Sequence, residues 1–167
     1  VYLNEIKHTC VIRNDKWDSG SSRYGLAMFF YDDGRIASRY CEGFSAPWNR
    51  VDKNSIDSIA EINSWHHFLI VFAGHLDVEL YWDTIKIEGE YDGSGSGMSY
   101  SGSNGVIGHL LTNIGPPPNR FFNGVIDDIR VYSRVLSDEE IDSLYTEVPT
   151  VSINEIISNQ GITSIYP

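Results

Sequence analysis

The feature that most constrains this chain is its alternation. Apolar and polar residues change places at every step through a series of short runs, and turn residues close each run. A period of two sends successive side chains to opposite faces of an extended strand. Thr9–Arg13 is one such run. Residues 24–30 form another, followed by Tyr31-Asp32-Asp33-Gly34 and a return over 35–40, with Ile36, Ser38 and Tyr40 on one face. That is a hairpin with glycine where a tight turn takes it. Residues 65–72 are apolar on both faces through Phe68, Leu69, Ile70 and Val71, which predicts a central strand covered on both sides. Residues 78–82 and 85–87 close around Asp83-Thr84, with Val78, Leu80 and Trp82 on one face. Residues 105–111 and 121–132 complete the predicted strands, separated by Pro116-Pro117-Pro118. Residues 16–23, 42–55 and 93–105 are rich in Gly, Ser, Asn and Asp and read as loops.

One helix is expected. Ser137-Asp138-Glu139-Glu140 is a capping box with Ser137 at N-cap and Glu140 at N3. Ile141, Leu144 and Tyr145 follow at helical spacing, and Pro149 stops the run. Many short strands with one late helix predict an all-β antiparallel sandwich with one short C-terminal helix. At 167 residues the chain holds one domain, 1–146, followed by 147–167 as a linker and the start of a sorting or further domain. With no initiator Met and no signal peptide, the chain reads as a piece of a longer protein.

Charge excludes two partner classes. Twelve Lys+Arg against 23 Asp+Glu leave a net charge of -11. Such a surface repels nucleic-acid backbones and anionic membrane faces. The apolar runs are too short to span a bilayer, so no membrane insertion is expected. Aromatics make up 13% of the chain, which sets it apart from disordered sequence. Two cysteines, Cys10 and Cys41, allow one disulfide if the protein is exported. A strict meander would hold them about two strand spacings apart, roughly 9–10 Å, too far for a bridge without backbone movement. Both readings stand at this point.

Two stretches carry a family resemblance. The first is Trp65-His66-His67-Phe68, then Leu80-Tyr81-Trp82-Asp83. The second runs Phe122-Asn123-Gly124-Val125-Ile126-Asp127-Asp128-Ile129-Arg130-Val131-Tyr132-Ser133-Arg134-Val135-Leu136-Ser137, then Glu140-Ile141 and Leu144-Tyr145. Together they resemble the laminin-G-like, concanavalin-A-like jelly-roll lectin family of secreted bacterial proteins, over about 9–145. The resemblance implies a jelly-roll β-sandwich. Thr84 stands where that family has a turn glycine, so a differently shaped hairpin is expected. The family's opening strands are absent or heavily diverged in 1–8. Either they lie before Val1, leaving an exposed edge here, or the sandwich closes differently. The tail Ile162-Thr163-Ser164-Ile165-Tyr166-Pro167 resembles the start of the C-terminal sorting domain of type IX secretion cargo in Bacteroidota. That resemblance implies export by the type IX machinery to the outer membrane exterior.

Asp127 interrupts the row Val125, Ile129, Val131 on the predicted last strand. A buried carboxylate must be paired, hydrogen-bonded or metal-bound. The resemblance implies a structural calcium near this Asp; Asp92, before the Gly/Ser loop, could supply another oxygen, as could Asp15, Asp18, Asp32 and Asp33. The alternative is a carboxylate that caps backbone N–H groups or pairs with an Arg. Arg130 with Asp128 reads as a surface or interfacial pair. Asp15, Asp18, Asp32 and Asp33 read as turn residues. His66 and His67 are adjacent, face opposite ways on a strand and cannot grip one metal together; His8, His75 and His109 have no spacing that links them to a site. Glu88 and Glu90 share a face but read as a charged rim, and no hydrolase motif is present, so no catalytic residue is expected. Trp17, Trp48, Tyr91 and Tyr100 lie in or beside predicted loops, where aromatic faces stack on sugar C–H faces or fold back to plug the sandwich. The expected function is a secreted or cell-surface, non-catalytic, lectin-like module binding glycan or extracellular matrix in adhesion. The alternative is a structural spacer of a large adhesin, or an accessory domain of a secreted hydrolase.

Overall fold

A computed structural model describes residues 1–14, 16–17, 23–43, 50–100, 105–111 and 119–146. In chain order its elements are β1 (Tyr2–Leu3), β2 (Thr9–Arg13), β3 (Lys16–Trp17), β4 (Arg23–Phe30), β5 (Ile36–Glu42), β6 (Arg50–Ser55) and β7 (Phe68–Gly74). They continue with β8 (Asp77–Trp82), β9 (Ile85–Ile87), β10 (Gly89–Gly93), β11 (Val106–Ile107), β12 (His109–Leu111), β13 (Asn119–Phe121), β14 (Gly124–Val125) and α1 (Asp138–Thr146). Sheet I runs β10-β6-β5-β4-β2-β11, with β3 also paired to β4. Sheet II runs β7-β8-β9, and every ladder is antiparallel. The predicted all-β jelly-roll sandwich is the fold.

The β4–β5 hairpin forms as its sequence dictates. Gly34 takes φ +82°, and an added Cβ would meet Ser58 Oγ at 2.3 Å, so only glycine fits. Asp33 accepts the Arg35 N–H at 3.1 Å and secures the turn. Phe30, Ile36, Tyr40 and Val51 then point from sheet I toward Phe68, Val78, Leu80 and Trp82 of sheet II, all buried. Phe30 meets Trp82 edge-on with centroids 5.9 Å apart. Burying each such side chain stabilises the fold by roughly 1.5–3 kcal/mol.

The apolar character of β7 on both faces has a direct cause. Phe68, Ile70 and Phe72 face sheet I, while Leu69 and Val71 join Tyr81 beneath Leu136, Ile141 and Leu144 of the helical segment. The strand is covered on both sides as expected, yet β8 is the central strand of sheet II and β7 an edge. The capping box forms: the Glu140 N–H donates to Ser137 Oγ at 3.3 Å, and the Ser137 N–H donates to Glu140 Oε2 at 2.9 Å. Arg134 is the larger influence holding the Glu140 carboxyl down to about 2, and the Ser137 N–H adds to it.

Three expectations need correction. Residues 42–55 and 16–23 are expected as loops, but β6 lies in the first and β3 in the second; of 93–105, only Gly93 at the end of β10 belongs to a strand among the described residues. No residue of β6 is exposed, and its polar residues are internally bonded, Asp52 to Arg39 and Asn54 to Tyr31, while the face toward sheet II carries few apolar side chains, Val51 on β6 and Tyr91 on β10. The predicted strand over 121–132 is broken: β13 ends at Phe121, β14 is Gly124–Val125, and 126–132 joins no ladder. Val125, Ile129 and Val131 are exposed, at 51, 45 and 86%. An apolar row needs a covering layer to be buried, and among the described residues none lies over this one.

Beside that run, β1 pairs with β14 through Tyr2↔Val125 and bridges to Trp65 through Tyr2↔Trp65. The Val1 amine donates to the His66 carbonyl at 2.6 Å. Burial lowers the pKa of that amine, against the pull of Asp83 and Asp127. Thr84 does not reshape its hairpin by itself; the left-handed position is taken by Asp83, at φ +57°. Cys10 stands opposite Phe29 and Cys41 opposite Gly25, so they are two strands apart and offset along β4, and no disulfide joins them. Among the described residues, no helix is long and apolar enough to cross a membrane.

Candidate functional site

The face of sheet I turned away from sheet II is largely buried: Cys10, Ala27, Phe29, Ala37 and Asp52 are each at most 4% exposed, and Leu110 of β12 packs on it. Cys10, Phe29, Ala37, Asn54 and Glu90 stand in one cross-strand row, and Arg13, Ala27, Arg39, Asp52 and Asp92 in the next. Arg39 grips Asp52 with Nε–Oδ1 and Nη2–Oδ2 both at 2.7 Å. Asp52 is 1% exposed. Burial would lower the Arg39 pKa, but the Asp52 bonds and charge outweigh it and hold the guanidinium above its ordinary value. Arg39 also lies over the Phe29 ring, 4.9 Å from its centroid, a cation–π contact.

At the end of the β4–β5 hairpin this face becomes a half-buried aromatic and polar cluster. The His8 ring lies 5.3 Å from Tyr31 and 5.8 Å from Phe29. Tyr31 donates its hydroxyl proton to Asn54 Oδ1 at 3.0 Å, and Arg35 covers its ring at 4.8 Å. Burial first, then Arg120 and Arg39, hold the His8 imidazole below its ordinary pKa, against Asp32 and Asp52. Planar rings flanked by guanidinium, amide and imidazole groups suit a ligand with apolar faces and hydroxyl edges. The cluster escaped the sequence reading because β6 and β13 were not recognised as strands. The usable signal was the order Arg50-Val51-Asp52-Lys53-Asn54-Ser55, which alternates without being hydrophobic.

The residues singled out from sequence are dispersed. Tyr91 is not a free stacking ring: it packs with Tyr40, Val51 and Val78, its hydroxyl accepts the Val78 N–H at 2.8 Å, and Lys53 lies 4.2 Å from its ring. Burial raises its pKa. Tyr100 is 65% exposed. Trp17 stands in β3 opposite Arg23, and Trp48 lies outside the described residues, as do Asp15 and Asp18. Asp127 is exposed rather than buried, and its Oδ1 accepts the Asp128 N–H at 2.8 Å. Asp128 pairs with Arg130 at the surface, 2.9 Å apart. Asp92 stands on β10, in a different sheet from β14. No group of three or more His, Cys, Asp or Glu able to hold a metal occurs among the described residues, so Asp127 and Asp92 do not by themselves fit a calcium cage.

A laminin G family model, described as the concanavalin A-like lectin/glucanases superfamily, matches residues 1–142. The chain belongs to this superfamily. A crystal structure of an S-layer domain-containing protein from Clostridium thermocellum is 23% identical, with a TM-score of 0.42 over 87% of this chain and 66% of that one. The chain thus spans just under two thirds of that structure. No curated protein matches the chain significantly.

The superfamily name covers both lectins and glucanases. Glycan cleavage needs an acid and a second carboxylate facing one cleft. In the cluster the nearest carboxylate, Asp52, is clamped by Arg39. Glu90 and Asp92 share a face on edge strand β10 and are exposed, as is Glu88. A serine–histidine–carboxylate series does occur: Ser64 Oγ lies 2.8 Å from His66 Nε2, and His66 Nδ1 lies 3.1 Å from Asp83 Oδ2. Its surroundings make it a brace. His66 stacks on Trp82 at 4.6 Å, and Asp83 Oδ1 also accepts the His67 N–H at 2.9 Å. The series therefore ties the start of β7 to the β8–β9 turn.

Proposed function

We propose that this domain is a non-catalytic, lectin-like carbohydrate-binding module that works outside the cell. The observation that carries it is the cluster of half-buried His8, Tyr31, Arg39 and Asn54 beside the buried Phe29, on the face of sheet I turned away from sheet II. Its rings and planar donors match the apolar faces and hydroxyl edges of a sugar. Of the carboxylates around it, Asp52 is clamped by Arg39, Asp33 pairs with Arg35, and Asp32 accepts the His8 N–H at 2.7 Å. Binding to a glycan array and to insoluble polysaccharide, lost in Tyr31→Ala and Asn54→Ala, is the expected result. An array without signal, with calcium and with chelator, overturns the reading.

The same proposal places the domain at the cell surface, exported by the type IX machinery through residues 147–167, which lie outside the described residues. Matrix or surface polysaccharide is then the natural ligand. A structural calcium belongs to the proposal only through Asp127 with backbone carbonyls and water, since Asp92 stands on another sheet; a melting temperature unmoved by calcium or chelator removes it. One observation favours the second reading, a spacer in a large adhesin or an accessory to a secreted hydrolase. The exposed row Val125, Ile129, Val131 is a surface fit for neighbouring polypeptide. A domain that binds no glycan but is stabilised by its neighbours in the longer protein would be that spacer.

A further inference from the structure

Trp65 is 54% exposed, yet its backbone is held on both sides. Ser64 Oγ lies 2.8 Å from His66 Nε2, and His66 Nδ1 lies 3.1 Å from Asp83 Oδ2. The His66 N–H also donates to the Val1 carbonyl at 2.8 Å. The brace thus fixes the two residues that flank Trp65 and leaves the indole facing solvent. A ring presented on a rigid backbone loses little freedom when a ligand stacks on it.

Trp65 is one end of a row. Tyr2 bridges to it, with ring centroids 5.8 Å apart, and pairs on its other side with Val125. At about 4.8 Å per strand spacing, the row Trp65, Tyr2, Val125 is roughly 10 Å long. Tyr2 is half-buried and Val125 exposed. Two positions along the same pairing, Asn4 Nδ2 donates to Asn123 Oδ1 at 3.2 Å, and both asparagines are exposed. Strand alternation puts this amide pair on the same side as the row. Exposure along the strand agrees: Phe121, Asn123, Val125 and Asp127 are exposed, while Phe122 and Ile126 turn in and pack on the core. Phe121 adds a further ring beyond the amides, stacked on His109 with centroids 4.4 Å apart.

The chemistry of this surface fits a neutral saccharide. Rings take the C–H faces of a sugar, and each amide offers a donor and an acceptor to its hydroxyls. The charged groups beside the row disfavour an anion. Glu5 is paired with Lys7 at 2.8 Å and Asp128 with Arg130 at 2.9 Å, while Glu61 and Asp127 add negative charge. An apolar polypeptide would desolvate Glu61 and the amide pair without compensating them.

We propose that the Trp65–Tyr2–Val125 row, with the Asn4–Asn123 pair, is a second carbohydrate site that takes a neutral oligosaccharide, one sugar ring stacking on Trp65. It lies on the β1–β14 pair and the start of β7, on different strands from the His8–Tyr31 cluster of sheet I. It shares only its ligand class with that cluster and is tested separately from it.

The test is calorimetric titration of the purified chain with cellohexaose, maltohexaose and oligogalacturonate. A neutral hexasaccharide should bind, and Trp65→Ala should weaken that binding at least about tenfold. Trp65→Tyr keeps a ring and should recover most of it. Asn123→Ala, at an exposed position, should weaken binding by less and keeps the test valid if Trp65→Ala unfolds. Tyr31→Ala should leave this site unchanged. Binding that is lost in Tyr31→Ala and unmoved by Trp65→Ala overturns the inference and leaves the sheet I site standing. Tighter binding of oligogalacturonate than of either neutral sugar overturns it too. So does a Trp65→Ala chain that loses self-association in sedimentation but keeps its sugar binding, since the row is then a contact between polypeptides. Silence from all three sugars also overturns it, while the sheet I site is judged by its own array.

Discussion

The β4–β5 hairpin and the run 124–132 have the same kind of sequence and opposite fates. Both alternate apolar with polar residues. In the hairpin every position from Tyr24↔Glu42 to Phe30↔Ile36 is laddered, and Phe30 and Ile36 are fully buried. In the second run the ladder stops at Val125, and Val131 is 86% exposed. Alternation specifies which face would be buried, and only a neighbouring layer buries it.

The contrast is sharpest under truncation. Phe30→Ala should cost about 3–5 kcal/mol in denaturant unfolding, from lost transfer and a cavity between the sheets. Val131→Ala should stay within about 0.5 kcal/mol. A large loss at Val131 would show that the run is covered in solution and would break the comparison. Next, Asp52→Ala should destabilise by roughly 3 kcal/mol or more, because it leaves Arg39 buried and unpaired. A small effect would mean that the laddered region tolerates loss of its charge pair as easily as the open region does. Ser137→Ala should cost about 1 kcal/mol by removing the cap that holds α1 over sheet II.

The smallest expected effect is a pH dependence. His8 and His67 are both held below their ordinary value of 6.5, burial being the larger cause for each. The unfolded chain therefore takes up protons first as pH falls. Stability is full above about 6.5 and declines as pH drops toward the folded-state values. His8→Gln should flatten part of that decline in melts between pH 7.5 and 5; an unchanged profile would take His8 out of the account. Loss of the Glu140 contribution falls in a separate window, from its ordinary 4.5 down to about 2.

Legibility followed hydrophobic contrast. β2 was readable to the residue, and the β4–β5 and β8–β9 hairpins nearly so, because apolar positions alternate clearly and Gly34 or Asp83 marks the turn. The capping box of α1 was readable because Ser137 and Glu140 satisfy each other locally. β6 and β10 were hidden because cross-strand partners, rather than their own composition, make them strands. The binding cluster was hidden for the same reason. His8, Arg39 and Asn54 come from three distant stretches, and only register brings them to one face. The aromatics that drew attention were conspicuous in sequence, yet Tyr91 spends its ring and hydroxyl on packing.

The two cysteines have a practical use. Cys10 and Cys41 are each 0% exposed, on strands flanking β4 from either side. Their thiols can meet a soluble alkylating reagent only when sheet I opens. The chain thus carries two built-in clocks, and their modification rates in native buffer read out how often each side of its main sheet breathes.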